Sequence, residues 1–211
     1  MISFMIIFSL SDIFAYISRG DSYIGVQISN IIYFLMMCAG SFTWFLFICV
    51  KMGYSKSILK LLLYTSAPMA LLTVAIVLNP VHGFFFTVDE ANLYSRGNGL
   101  IITWIVEWGY MIAATTMNII AAAKEKRSYK RSEYIGYIFF VLPLLLSALL
   151  QMIFYGTTTI QIGFMFAIFM VFVIRQSHQA QKDGLTGLNN KNAFLNYRDT
   201  FVNKNREYSL C

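Results

Sequence analysis

Two carboxylates, Asp12 and Glu107, lie inside long apolar stretches of this 211-residue chain. An ionisable side chain is costly inside a membrane-spanning segment, so such residues usually mark a ligand site, an ion path or a proton relay. Trp104 precedes Glu107 by about one helical turn, so a helix would place an indole ring beside this carboxylate. We therefore predict that Asp12, Trp104 and Glu107 bind a small ligand such as a cation. The alternative is that each carboxyl is neutral and hydrogen-bonded between helices.

The composition indicates what kind of protein positions these residues. Hydrophobic residues make up 58% of the chain and charged residues only 12%, and the mean hydropathy is +0.63. A soluble domain carries about 25% charged residues on its wetted surface. This difference excludes an ordinary soluble enzyme, a disordered chain and a nucleic-acid-binding module. We predict an all-α polytopic membrane protein that contacts membrane lipids and does not bind nucleic acid.

Six apolar stretches are about long enough to cross a membrane as a helix, which takes roughly 20 residues. Pro68 and Pro143 lie inside two of these stretches and predict kinks, because proline cannot donate a backbone hydrogen bond. The predicted spans are residues 2–17, 31–50, 57–78, 99–123, 135–155 and 158–174.

The basic residues between the spans predict the orientation of the chain. With the amino terminus inside the cell, the outer connections contain only Arg19 and Arg96. Excess Lys and Arg on the cytoplasmic side is the usual signal of membrane topology. Both termini are therefore predicted to be cytoplasmic, in a multi-pass protein of the plasma membrane. The inner connections contain Lys51, Lys56, Lys60, Lys124, Lys126, Arg127, Lys130, Arg131 and Arg175.

The sequence offers little for a metal centre or for catalysis. Its three cysteines are scattered and form no disulfide framework or Cys/His cluster. His82, Asp89 and Glu90 lie in the long connection between the third and fourth spans, but their spacing matches no known ligand pattern. We therefore predict no metal site and no catalytic residue within this chain.

A short motif after the last span gives the most specific signal in the sequence. The string from Asp183 to Lys191 resembles the motif that opens GGDEF domains, the diguanylate cyclases that condense two GTP molecules into cyclic di-GMP. Six of its defining positions are identical, and Lys191 stands where arginine is usual. The matching residues are Asp183, Leu185, Thr186, Gly187, Leu188, Asn190 and Lys191.

This resemblance implies a bacterial signalling protein with three parts. Residues 1–175 would form the membrane sensor, residues 176–182 a helical linker, and residues 183–211 the incomplete start of an α/β GGDEF domain. The metal-binding aspartate and the GGDEF turn of that family would follow beyond Cys211, so we expect the chain to be a fragment. It would hold no cofactor itself, while the missing catalytic part would use Mg²⁺ and GTP. Such cyclases pair two GTP-loaded domains, so the resemblance also implies a homodimer.

The outer connection carries a second resemblance, through Asn79 to Gly83, Phe85-Phe86, Asp89, Tyr94 and Arg96-Gly97. It is similar to the outer loop of the seven-helix sensor region at the amino terminus of some bacterial histidine kinases and cyclases. The two resemblances together imply a membrane sensor of an unknown extracellular or membrane ligand that regulates a diguanylate cyclase. Two alternatives stay open, a transporter or channel-like protein and the sensor half of a histidine kinase.

Overall fold

The computed structural model describes residues 2–53, 58–126, 128–154 and 159–180. The motif from Asp183 to Lys191 lies outside the described residues. Within them the chain is mainly helical, with one short two-stranded sheet. Its elements, in chain order, are α1 (Ile2–Ser18), α2 (Tyr23–Lys51), α3 (Ile58–Thr65), α4 (Ala67–Val77), α5 (Asn79–His82), β1 (Phe86–Val88), β2 (Tyr94–Arg96), α6 (Leu100–Lys124), α7 (Ser128–Ile138), α8 (Val141–Ile153) and α9 (Thr159–Ala180).

Among the described residues, four stretches are long and apolar enough to cross a membrane. They are α2, α6, the α7–α8 segment over Lys130–Gln151, and α9 over Thr159–Gln176. The prediction of a helical membrane protein is thus confirmed at this level. The count of six spans is not, because α1 and α4 are apolar but shorter.

The second span begins earlier than its hydropathy predicted. Helix α2 starts at Tyr23 rather than near Ile31, and Ser22 caps it by accepting a hydrogen bond from the Gly25 amide at 3.1 Å. A side-chain oxygen in this position satisfies one of the backbone N–H groups that a helix start leaves unpaired. Polar residues in the first turns are satisfied inside the helix, as when the Ser29 hydroxyl donates to the Gly25 carbonyl at 2.6 Å. The helix therefore tolerates a polar stretch that hydropathy alone excludes.

Both internal prolines, which predicted kinks, lie just after a break between two helices. Helix α3 ends at Thr65, and Pro68 sits in the first turn of α4, where its missing N–H removes no helical bond. Helix α7 ends at Ile138, and Pro143 lies in the first turn of α8. Proline there cannot donate to the carbonyl four residues earlier, which is that of Phe139. Each break thus has a proline in the first turn of the helix that follows it.

Helix α2 is the centre of the bundle. It packs against α1, α4 and α6, and it is the most buried of the four spanning stretches. Trp44 on α2 is fully buried and stacks on Phe140, with ring centroids 3.6 Å apart. Stacking of two aromatic rings stabilises the fold in addition to the effect of burying their apolar surface. A movement of α2 would therefore displace side chains on α1, α4 and α6.

The connections gather at two ends of the bundle. At the first, the Asn92 side-chain amide donates to the Gly20 carbonyl at 3.3 Å, which joins the α1–α2 turn to the β1–β2 hairpin. We call this the hairpin end. At the opposite end, Lys51 forms a salt bridge of 2.8 Å with Glu133, and the Tyr137 hydroxyl donates to the same carboxylate oxygen at 2.6 Å. We call this the Lys51 end.

The hairpin end has a defined structure rather than an open loop. The buried Asn79 side chain accepts hydrogen bonds from the Phe85 and Phe86 amides at 2.8 and 3.4 Å and donates to the Phe86 carbonyl at 2.8 Å. Strands β1 and β2 then pair antiparallel, with Phe86 opposite Arg96. A Cβ atom at Gly97 would collide with the backbone carbonyl group of Phe84, so only glycine fits there. Residues 79–98 thus form a folded cap on one end of the bundle.

Candidate functional site

A cavity of about 120 Å³ lies under this cap, between the hairpin and helices α2, α6, α8 and α9. A dry cavity of about 150 Å³ can hold a benzene molecule, so this one suits a ligand of roughly five non-hydrogen atoms or a few waters. Its polar and aromatic lining residues are Tyr33, Phe34, Tyr94, Arg96, Trp104, Glu107, Trp108 and Gln151. Its remaining lining residues are Met37, Leu100, Ala148 and Ile160.

Glu107 is the acidic residue of the cavity. It lies seven residues into α6 from Leu100, or roughly 10 Å below the hairpin end at the usual helical rise. Its side chain is only 8% exposed. The Cys38 thiol on α2 donates a hydrogen bond to Glu107 Oε1 at 3.1 Å. This cysteine, which belongs to no disulfide framework or metal cluster in the sequence, therefore helps to hold the carboxyl in place.

The aromatic walls follow from helical periodicity. The lining residues on α6 follow one another at intervals of four, three and one residues, which brings them to one side of the helix. They are Leu100, Trp104, Glu107 and Trp108. Trp104 is 38% exposed, so its ring lies at the edge of the cavity rather than in its floor. The two indoles and the carboxyl thus come from little more than one helical turn.

The hairpin supplies the roof. Tyr94 and Arg96 are two residues apart on β2, so their side chains leave the same face of the strand. Phe86 on the paired strand stacks on Phe34 of α2, with centroids 5.7 Å apart, and also contacts the Tyr94 ring at 5.8 Å. These ring contacts fix the hairpin over the helices. Arg96 is exposed and places a guanidinium group at the mouth of the cavity.

Gln151 links the cavity to the last helix. Its Oε1 atom accepts a hydrogen bond from the Ile160 amide at 3.3 Å, in the first turn of α9. Tyr33 on α2 is hydrogen-bonded to Gln151 as well. Polar residues in membrane proteins commonly form hydrogen bonds between helices. Gln151 does so and also lines the cavity. If the Tyr33 side chain moves, Gln151 would transmit the displacement to the first turn of α9.

The structure brings two of the three predicted ligand-binding residues together. Trp104 and Glu107 share the cavity, whereas Asp12 is not among its lining residues. Gln161 on α9 donates to the Asp12 carboxylate at 3.2 Å, so Asp12 contributes to the contact between α1 and α9. Tyr33 lines the cavity and stacks on Phe8 of α1 with ring centroids 4.6 Å apart, so the cavity wall contacts the helix that carries Asp12.

The polar residues of the outer connection, His82 and Asp89, contact the backbone of the outer cap. His82 uses both ring nitrogens, since Nδ1 accepts from the Phe84 amide at 3.0 Å and Nε2 lies 3.0 Å from the Ala75 carbonyl. Asp89 accepts hydrogen bonds from two amides of its own turn. In the part of the chain that the structure describes, no three His, Cys, Asp or Glu residues are grouped to hold a metal ion.

Sequence reasoning did not single out Tyr33, Tyr94 or Arg96 as site residues. Tyr33 is one aromatic among many in an apolar helix, and no spacing distinguishes it. The sequence indicates Arg96 only as an outer charge and Tyr94 only as part of the outer connection. The alternation Tyr94–Ser95–Arg96 would have indicated a strand with Tyr and Arg on one face, but three residues are too few to predict one.

The arrangement favours binding over chemistry. Among the described residues, the cavity combines the buried Glu107 carboxyl with aromatic rings, an amide in the wall and a guanidinium at the mouth. Such a cavity can hold and orient a small polar molecule. No protein family matches this chain, and neither a curated protein nor a solved structure does. Both resemblances therefore remain predictions.

Proposed function

We propose that this chain is a membrane-embedded sensory module that binds a small ligand in the cavity around Glu107 and regulates a diguanylate cyclase at its carboxyl end. The observation that carries the proposal is a buried acidic side chain facing an aromatic cavity under a folded cap. An ionisable group at this depth is costly and is retained mainly for function. The motif from Asp183 to Lys191 supports the cyclase output.

Signal transmission would run from the cavity into α9. A ligand that changes the separation of α2, α6 and α8 shifts Gln151, and Gln151 bonds the first turn of α9. Helix α9 continues without a break to Ala180, six residues past Ile174, its last large apolar residue. A continuous helix passes rotation or displacement to whatever follows it. The following GGDEF domain would bind GTP and Mg²⁺ and would act as a homodimer.

The proposal includes six membrane spans in a bacterial plasma membrane. Helix α1 has 17 residues and is about 25 Å long at the usual rise, and α3 with α4 covers a similar or greater length. Both are close to the roughly 30 Å thickness of the hydrocarbon core. With α1 and α3–α4 crossing, the Lys51 end carries most of the basic residues and is cytoplasmic.

A topology reporter tests this orientation. Green fluorescent protein fused after Cys211 is expected to fluoresce, since it folds in the cytoplasm, whereas alkaline phosphatase at the same place is expected to stay inactive. The same two reporters inserted after Asn92, in the outer turn, should give the opposite pattern. An active phosphatase after Cys211 would contradict the cytoplasmic location of the output.

Filling the cavity tests the sensory role without knowledge of the ligand. In a fusion in which a complete GGDEF domain replaces residues 183–211, Ala148→Phe places a ring where the ligand would sit. We expect cyclic di-GMP output to change by about fivefold or more, because allosteric coupling energies are typically 1–3 kcal/mol. Output is measured as cyclic di-GMP per amount of fusion protein in cells without other cyclases.

The matched control is Ala123→Phe, at an exposed position near the Lys51 end of the same bundle. It makes the same change outside the cavity and should leave the output unaltered. Equal output from wild type and Ala148→Phe would contradict the sensory role. Solute flux into vesicles without any effect on output would favour the transporter alternative instead.

A further inference from the structure

The cavity also indicates the chemistry of its ligand, an inference that rests on the proposed ligand-binding role. We infer that it binds a small molecule through an organic ammonium group, which Glu107 and the surrounding aromatic rings hold.

The buried end of the cavity, at Glu107, favours a positively charged group on the ligand. Glu107 is 8% exposed and lies in a helix that is apolar on both sides of it, so few water molecules can solvate its carboxylate. A buried charge is tolerated when an opposite charge or hydrogen-bond donors compensate it. The Cys38 thiol supplies one weak donor to Oε1. An ammonium group would supply up to three strong N–H donors and the missing charge.

The walls favour an organic cation over a metal ion. The rings of Tyr33, Tyr94, Trp104 and Trp108 line the same cavity as the carboxyl. Aromatic faces attract ammonium groups through their quadrupole, and tryptophan does so most strongly. Divalent metal ions instead require several oxygen, nitrogen or sulfur ligands, which rings do not provide.

The size and the mouth restrict the rest of the molecule. A volume of about 120 Å³ accommodates roughly five non-hydrogen atoms, by comparison with cavities that hold benzene. Arg96 lies at the mouth, so a second cationic group on the ligand would meet a like charge there. An anionic or neutral tail on the ligand would avoid this repulsion. The ligand class is therefore a monoammonium compound with a short carbon chain.

A series of four-carbon probes tests the inference on the full chain in lipid nanodiscs at constant ionic strength. The probes are n-butylammonium, 1-butanol, butyrate and 1,4-diaminobutane. Binding is followed by intrinsic fluorescence, because Trp104 and Trp108 are two of the three tryptophans of the chain and line the cavity. We expect saturable binding of n-butylammonium with a dissociation constant of about a millimolar or tighter. The diamine should bind more weakly, and the alcohol and the anion should not saturate.

Glu107→Gln is expected to weaken n-butylammonium binding at least about thirtyfold, as for other truncated buried charge pairs. The amide has the size of the carboxyl and can still accept from Cys38, so the fold should persist. Glu133→Gln makes the same change at the Lys51 end and should leave the dissociation constant unaltered. Equal affinity for n-butylammonium and 1-butanol, or unchanged binding in Glu107→Gln, would overturn the inference.

Failure of this inference is distinguishable from failure of the sensory role. If Ala148→Phe changes the cyclase output but no probe shows charge-selective binding, the ligand is not an ammonium compound. The sensory role is then still supported. If n-butylammonium binds in a Glu107-dependent way while Ala148→Phe leaves output unaltered, the ligand class is supported and the sensory role fails.

Discussion

Asn79→Ala is expected to destabilise the outer cap by about 3 kcal/mol or more. The side chain is 1% exposed and makes three hydrogen bonds to the backbone of Phe85 and Phe86. Alanine leaves these buried amide and carbonyl groups without partners, and each such group costs about 1–3 kcal/mol. Hydrogen exchange of residues 84–97 in the full chain measures the effect, as a loss of amide protection confined to the cap.

Asn98→Ala is the matched control, since Asn98 lies in the same connection but is exposed. It should change protection by little more than the few tenths of a kcal/mol usual for surface substitutions. Unchanged protection of the Phe85 and Phe86 amides in Asn79→Ala would contradict the cap as described. Because the cap supplies Tyr94 and Arg96 to the cavity, the same substitution should also weaken n-butylammonium binding.

The cap shows why part of this site escapes sequence reasoning. The sequence predicts a long connection from Asn79 to Asn98 and nothing of its internal structure. Asn79 looks like an ordinary turn residue, and its role depends on the backbone of Phe85 and Phe86 coming back to meet it. Short strands and side-chain-to-backbone bonds of this kind are set by tertiary packing, which a local pattern does not contain.

The spanning helices are predicted much better, because hydropathy over about 20 residues is a strong signal. Periodicity also predicts that Trp104 and Glu107 share a face. It does not predict which helix faces them, and Asp12 is grouped with Glu107 only because both are ionisable residues inside apolar stretches. In the structure Asp12 contacts Gln161, because the position of a side chain around a helix axis depends on neighbours that the sequence does not name. Hydropathy also predicts helix starts poorly. Helix α2 begins at Tyr23, directly after its cap Ser22, although its first turns contain polar residues.

Deletion of Gln179 is expected to have the largest effect on output. Helix α9 runs unbroken from Thr159 to Ala180, so removing one residue near its end rotates everything beyond by about 100° and shortens the helix by about 1.5 Å. Paired cyclase domains must face each other to join two GTP molecules, and misplacements of about 1 Å can cost about a hundredfold in rate. We expect cyclic di-GMP output of the GGDEF fusion to fall at least about tenfold.

Gln179→Ala is the control for this deletion, because it removes the side chain and leaves the length and phase of the helix unchanged. Its output should match that of the parent fusion. Deleting Gln179 and inserting one alanine after Ala180 should restore output, since the downstream rotation returns to its original value. If the deletion leaves output unaltered, the linker acts as a flexible tether, and the rotation of α9 cannot be the signal. Loss of output in Gln179→Ala would instead point to the side chain rather than to the phase of the helix.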